Sequence, residues 1–188
     1  MKESDWTREF LDVLRQRLTA ADPRLEISAG HKLMYANEVR DYDRHNQPRP
    51  NLKHYETDLL VTERLETGGW TPRVVVETKL KTVNTHDSIT YSQKAGAHKN
   101  VHPYLRYGIL IGNRGAQALP GRLFRHGAQF DFMMVIRGIE ATPAELDTLV
   151  DLLSEEAEAS RLLERIVFDT HSRSRSQYTV LRKTLRLF

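Results

Sequence analysis

Asp58, Glu77 and Lys79 are the side chains whose types and spacing could do chemistry together. Glu77 and Lys79 stand two residues apart behind the apolar run Val74-Val75-Val76. Successive side chains of a strand point to opposite faces, so a strand over Arg73–Lys81 aims this carboxylate and this ammonium the same way. A second β-favouring run covers Glu56–Thr62, and Gly68, Gly69 and Pro72 break any regular pattern between the two. Pairing of the runs as a hairpin brings Asp58 beside the other two. Two carboxylates and an ammonium at the end of an apolar strand are expensive to bury, and a divalent cation between the carboxylates offsets that cost. Alone, an acidic-X-Lys tripeptide is also what an exposed strand end displays, as an ion pair worth under about 1 kcal/mol.

The elements around this group follow from periodicity and punctuation. Ser4 or Asp5 can cap a first helix to about Thr19, in which Trp6, Phe10, Val13, Leu14 and Leu18 form one buried stripe. Asp22-Pro23 ends it. A strand lies within Leu25–Ala36, and Arg40–His54, with almost no apolar residues and two prolines, reads as a long loop. After the hairpin, Thr85 or Asp87 can cap a helix to about Asn100. Buried strands are expected over Tyr104–Asn113 and Ala128–Arg137, with a basic, Gly-containing loop and one helical turn between them. Thr142-Pro143-Ala144-Glu145 opens a last helix with a capping box and proline at its first position.

A chain of 188 residues makes one domain, 1–188, large enough to bury its own core. The absence of cysteine excludes disulfides and thiolate metal sites. The N-terminus MKESDWTREF lacks the apolar core of a signal peptide, and the longest apolar run, Phe132–Ile136, is too short to span a membrane. The expectation is a cytoplasmic protein with no membrane partner. The net charge of +3 is unevenly spread. No acid lies between Asp87 and Asp131, where Lys94, Lys99, Arg106, Arg114, Arg122 and Arg125 all fall. Residues 140–169 are acidic and the tail from His171 is basic again, with Arg173 and Arg175 between serines. Such one-sided charge suits a polyanion.

Asp58, followed by a strand ending Val76-Glu77-Thr78-Lys79, resembles the PD-(D/E)XK nuclease superfamily, the restriction-endonuclease-like fold; Thr57 stands where the family motif carries proline. The element order over about residues 5–137 agrees with that family's αβββαβ core. The expected fold class is therefore α/β: a central mixed sheet flanked by helices, plus a C-terminal helix and basic tail over 138–188. The resemblance implies Mg²⁺, with Mn²⁺ as a substitute, held by Asp58, Glu77 and the Thr78 carbonyl. Lys79 would orient or help deprotonate the attacking water, leaving 5′-phosphate and 3′-hydroxyl products. An auxiliary glutamate would be Glu38 ahead of Glu9. Gln93 and Lys94, on the helix after the motif, would support the site or contact phosphate, with Lys99, Arg114, Arg122, Arg125, Arg173 and Arg175 gripping DNA. The Arg40–His54 loop is either a mobile surface or a DNA contact. His98 and His102, four apart, are read as polar or phosphate-facing ahead of zinc ligands, since no third ligand is evident. Among nucleases of this fold the chain looks most like a type II restriction endonuclease, cutting double-stranded DNA as a homodimer. A Holliday-junction resolvase or DNA-repair nuclease, and a non-catalytic nucleic-acid-binding module, are the alternatives.

Overall fold

The computed structural model describes residues 2–169 and 186–187. Arg173 and Arg175 of the basic tail lie outside the described residues. The chain begins with helix α1 (Glu3–Ala21) and strand β1 (Leu25–Ser28), followed by a hairpin of β2 (His31–Tyr42) and β3 (Pro48–Thr57). Strands β4 (Leu59–Arg64) and β5 (Trp70–Leu80), helix α2 (Thr85–Val101) and strand β6 (Arg106–Gly112) come next. The short helix α3 (Gly121–His126), strand β7 (Phe132–Val135) and helix α4 (Pro143–Glu164) complete the order, with a π-helical turn at Arg165–Asp169.

Five strands form one mixed sheet in the order β1-β4-β5-β6-β7. β1, β4 and β5 run antiparallel, whereas β5, β6 and β7 run parallel. Helices cover both faces, which is why the middle of β5 is a continuous apolar run and does not alternate. Val74 and Val76 pack with Leu59, Val61 and Leu110 against Trp6, Leu14, Leu149 and Leu153 of α1 and α4. Val75 turns the other way, to a second core with Leu60, Tyr107, Ile109, Ala95 and Leu123. Two glycines of β6 permit close approach. A Cβ at Gly112 would lie 2.3 Å from the Trp6 ring, and one at Gly108 would lie 2.2 Å from Phe132. Trp6 is seated further by its indole N–H, which donates to the Ile139 carbonyl at 2.7 Å.

Several local expectations are borne out and others are corrected. Thr142 caps α4 with Glu145 closing the box and Pro143 in the first turn. α2 is capped by Asn84, one residue before the expected Thr85, because Asn84 and Asp87 bond each other's backbone N–H reciprocally. α1 starts earlier than expected, with Lys2 at its cap position and no side-chain cap bond. On it Leu11 is buried while Val13 is exposed. The long loop expected over Arg40–His54 is instead the outer half of the β2–β3 hairpin, an arm forming its own two-stranded sheet. Its outer residues are solvated on both faces, so no alternation marked it as strand.

The acidic helix α4 places its charges at the opening ends of the parallel strands. Glu164 pairs with Arg73, near the start of β5, at 2.6 Å, and Glu156 pairs with Arg106, at the start of β6. Arg161 joins Glu63 at 2.9 Å and Asp22 at 2.8 Å, and Arg73 reaches Glu63 from the other side at 2.7 Å. The ionic cluster thus holds the end of the sheet remote from the Glu77 end of β5. Among the described residues no helix is long and apolar enough to cross a membrane.

Candidate active site

Asp58 occupies the single residue between β3 and β4. Leu59 pairs with Val76 in the antiparallel ladder, and continuing that register by one residue sets Asp58 opposite Glu77. The backbone orients the Asp58 carboxylate: its Oδ2 accepts the Thr78 N–H at 2.8 Å and stands 3.3 Å from the Thr78 hydroxyl. That hydroxyl lies 2.9 Å from the hydroxyl of Thr7 on α1. Thr78 itself is laddered with Leu110 of β6.

Glu77 is almost wholly buried, 1% exposed. Two donors meet on its Oε1: the Tyr107 hydroxyl at 2.5 Å and the Lys94 ammonium at 2.7 Å. Tyr107 is fixed in turn by stacking against His98 on one side and Phe130 on the other, with ring centroids 5.8 and 6.4 Å away. Lys94 also donates to the Glu56 carbonyl at 2.9 Å, tying α2 to the end of β3. Burial pushes the Glu77 carboxyl above its ordinary value, and the nearby Asp58 charge adds to that; Lys94 and Tyr107 oppose it without prevailing. Burial, with the Glu77 charge beside it, pushes the Tyr107 hydroxyl well up.

Lys79 projects from the same face of β5 toward a different carboxylate, that of Glu3, at 3.2 Å. Glu3 is anchored by a second bond, from the Leu80 N–H to its other oxygen at 3.2 Å. The ammonium also sits over the Tyr91 ring, 5.0 Å from its centroid. Burial works against the Lys79 charge, but Tyr91 and Glu3 outweigh it and hold the ammonium well above the usual lysine range. A hollow of about 210 Å³ opens in front of Asp58, lined by Glu3, Thr7 and Arg8 of α1, Glu56 and Thr57 of β3, and Thr78. A larger one, about 540 Å³ beside Arg15, His31, Arg64 and Trp70, contains none of the three motif residues.

The structure divides the remaining expected residues. Glu9 is exposed on α1. Glu38 lies on the arm, opposite Asn51 and 3.6 Å from Lys53, about 20 Å from the Asp58 end of β3 by the rise of a strand. Neither joins Asp58 and Glu77. The helical glutamate at the site is Glu3, whose place three and four residues before Trp6 and Thr7 puts it on the buried side of α1, a spacing visible in the sequence. Lys99 is bound to Asp131 at 2.8 Å and to the Gln129 carbonyl at 2.6 Å, and Arg114 donates to the carbonyls of Lys81 and Ala118. Both therefore brace the fold. Gln93 on α2 and Arg122 and Arg125 on α3 are exposed. His98 is fully buried, 3.1 Å from the Met34 carbonyl through Nδ1, which corrects the expectation of a phosphate-facing side chain. Tyr107 was missed because an aromatic within a buried strand looks like core until its hydroxyl is seen to face Glu77.

Among the described residues no three His, Asp or Glu side chains converge as metal ligands. The donor set near Asp58 is smaller: the carboxylates of Asp58 and Glu77, opposed by the register of β4 and β5, with the Thr78 carbonyl directly after Glu77 in the chain. Such a hard, oxygen-only set fits a cation that retains several of its waters, as Mg²⁺ does, and not a closed zinc site. No protein-family model matches the chain, and no curated protein matches it.

Proposed function

We propose that the chain is a Mg²⁺-dependent endodeoxyribonuclease of the restriction-endonuclease-like kind, most like a sequence-specific type II restriction endonuclease that cuts double-stranded DNA as a homodimer. One observation carries the reading. Asp58 and Glu77 oppose each other across β4 and β5, with Lys79 on the same face, at the closing end of a parallel pair of strands. In open α/β sheets that end is where ligands bind. The helix–strand–strand–strand–helix–strand order, with the arm inserted after its first strand, agrees with the resembled core.

In this reading Asp58 and Glu77 hold the cation, Asp58 aimed by the Thr78 N–H and Glu77 by Tyr107. The cation supplies Lewis acidity and positive charge for the phosphoryl oxygens. Lys79, kept protonated by Glu3 and Tyr91, presents N–H donors to the negative charge that develops on phosphorus-bound oxygen, the role of a positioned electrostatic stabiliser. Lys94 neutralises Glu77 whenever no cation is present, which lets the carboxylate stay buried at a bearable cost.

That same pair favours a second reading, a non-catalytic nucleic-acid-binding module, in which Lys94 is the permanent counter-ion of Glu77. Incubation of the protein with phage or plasmid DNA, with Mg²⁺ or with EDTA, separates the two. Discrete Mg²⁺-dependent fragments that vanish in Asp58→Ala support a sequence-specific endonuclease. A smear supports a repair-type nuclease, and cleavage confined to four-way junctions supports a resolvase. Duplex binding without any cleavage supports the binding module and refutes the catalytic reading.

A further inference from the structure

The β2–β3 arm carries nothing on its outer half among the described residues. From Asn37 to Leu52 every residue is exposed except Asp41 and Asp43, which are half-buried. A two-stranded hairpin solvated on both faces gains little from core packing. Its order comes from the tip, where the Asp43 carboxylate accepts the N–H groups of His45 at 2.7 Å and Gln47 at 2.9 Å. The Gln47 carbonyl in turn accepts the Asp43 N–H at 3.0 Å. Asn46 takes a left-handed conformation there, φ 58°, which asparagine tolerates. The tip is therefore a preformed turn that displays Arg44 and Gln47.

Charge on the arm is arranged in one direction. The acids of its outer half are committed internally: Glu38 faces Lys53 at 3.6 Å, Asp41 faces Arg49 at 3.3 Å, and Asp43 folds the turn. Arg44 at the tip has no acidic partner among the described residues, and its Nε donates to His45. Pro48 and Pro50 remove two backbone donors from β3, which blunts the arm against strand pairing with a second copy. A two-stranded ribbon fits the major groove, about 12 Å wide, and Arg, Asn and Gln are the side chains that bond guanine and adenine edges there in pairs. β3 runs ten residues from Pro48 to Thr57, the residue before Asp58. That is about 33 Å, close to one turn of B-form duplex.

We propose that the β2–β3 arm is a ribbon that enters the major groove of duplex DNA, where Arg44 and Gln47 read bases within about one helical turn of the phosphate held at Asp58. This rests on the nuclease reading of the Asp58 site. The test is a binding selection from a random-sequence duplex pool, using full-length Asp58→Ala protein so that nothing is cut. The same selection is run with Arg44→Ala and Gln47→Ala added, which leave the Asp43 turn and Asn46 untouched, and matched thermal melting confirms the fold. The expected result is a motif enriched by the parent and flattened at two or more positions in the tip variant, by about tenfold each. A parent that binds no duplex refutes the nuclease reading itself. A parent that binds without enriching a motif, or a tip variant that keeps the motif, overturns the arm proposal alone. A tip variant that keeps the motif but changes the mass of the protein in solution also overturns it, and assigns the arm to contact between copies.

Discussion

Replacing Tyr107 by phenylalanine removes one oxygen from the interior and leaves the ring between His98 and Phe130 in place. The lost bond is to a carboxylate that is 1% exposed, so water cannot replace the donor. Hydrogen bonds to charged groups are worth about 1.5–3 kcal/mol, and the packing change is small, so Tyr107→Phe should lose about that much stability. For a chain of this size that is a fall in Tm of about 3–12 °C. The loss depends on pH in a definite direction. Glu77 has a folded pKa above its ordinary 4.5, so its ionisation destabilises the fold; that penalty is fully present above the folded value and disappears as pH falls toward 4.5. The Tyr107 hydroxyl relieves that ionised form. The deficit of Tyr107→Phe should therefore be largest at mildly alkaline pH and shrink in acid. Urea denaturation of both proteins across a pH series measures this directly. Mn²⁺ binding, followed by titration calorimetry, should weaken about 10- to 100-fold if Tyr107 aims Glu77 at a cation. Equal stability of the two proteins at the alkaline end, or a gap that widens in acid, would refute the reasoning.

Lys79→Ala should abolish Mg²⁺-dependent cleavage while fluorescence anisotropy finds duplex affinity nearly intact; retained cutting would remove Lys79 from the chemistry. Glu63→Gln should cost about 3 kcal/mol in denaturant titrations by leaving the buried Arg73 and the half-buried Arg161 undercompensated, with cleavage by the folded fraction preserved. Burial raises the Glu63 pKa, but Arg161 and Arg73 outweigh it and leave a net lowering. Its contribution is thus present above 4.5 and lost as pH falls through the folded value, and the variant should be less acid-sensitive in that window. His98 is held near 4, against an ordinary 6.5, chiefly by burial. Stability should therefore drop by roughly 3 kcal/mol as pH falls from 6.5 to 4, because the unfolded chain takes up a proton the native one refuses. His98→Gln should flatten that slope, and an unchanged slope would assign it elsewhere.

What could be read from the sequence was what burial writes into it. Val74-Val75-Val76 and the run through Ile109–Ile111 are covered on both faces, so their apolar continuity marked β5 and β6. The α4 cap was legible because Thr142, Pro143 and Glu145 act within one turn. The pairing of Asp58 with Glu77 followed once the two strands were taken as a hairpin. The arm was hidden because strands wetted on both faces have no period, and its two prolines imitate a loop. Lys99 looked like a DNA contact because Asp131 and the Gln129 carbonyl lie some thirty residues along the chain, and Arg114 because the Lys81 carbonyl carries no signature of residue type. Glu3 was passed over for Glu9 although its spacing to Trp6 places it on the docked side of α1.

The notch at Gly112 that receives Trp6 gives the molecule an optical handle. The chain has two tryptophans: Trp6, on the sheet-facing side of α1, is 2% exposed, whereas Trp70 is 45% exposed and meets His31 edge-on at 4.9 Å, at the root of the arm. Their emission should separate into a shielded, blue-shifted component and a quenchable, red-shifted one. The first registers whether α1, and Glu3 with it, remains seated on the sheet. The second registers what happens where the arm joins the body, so the seating of α1 and the root of the arm can be followed separately without attaching a label.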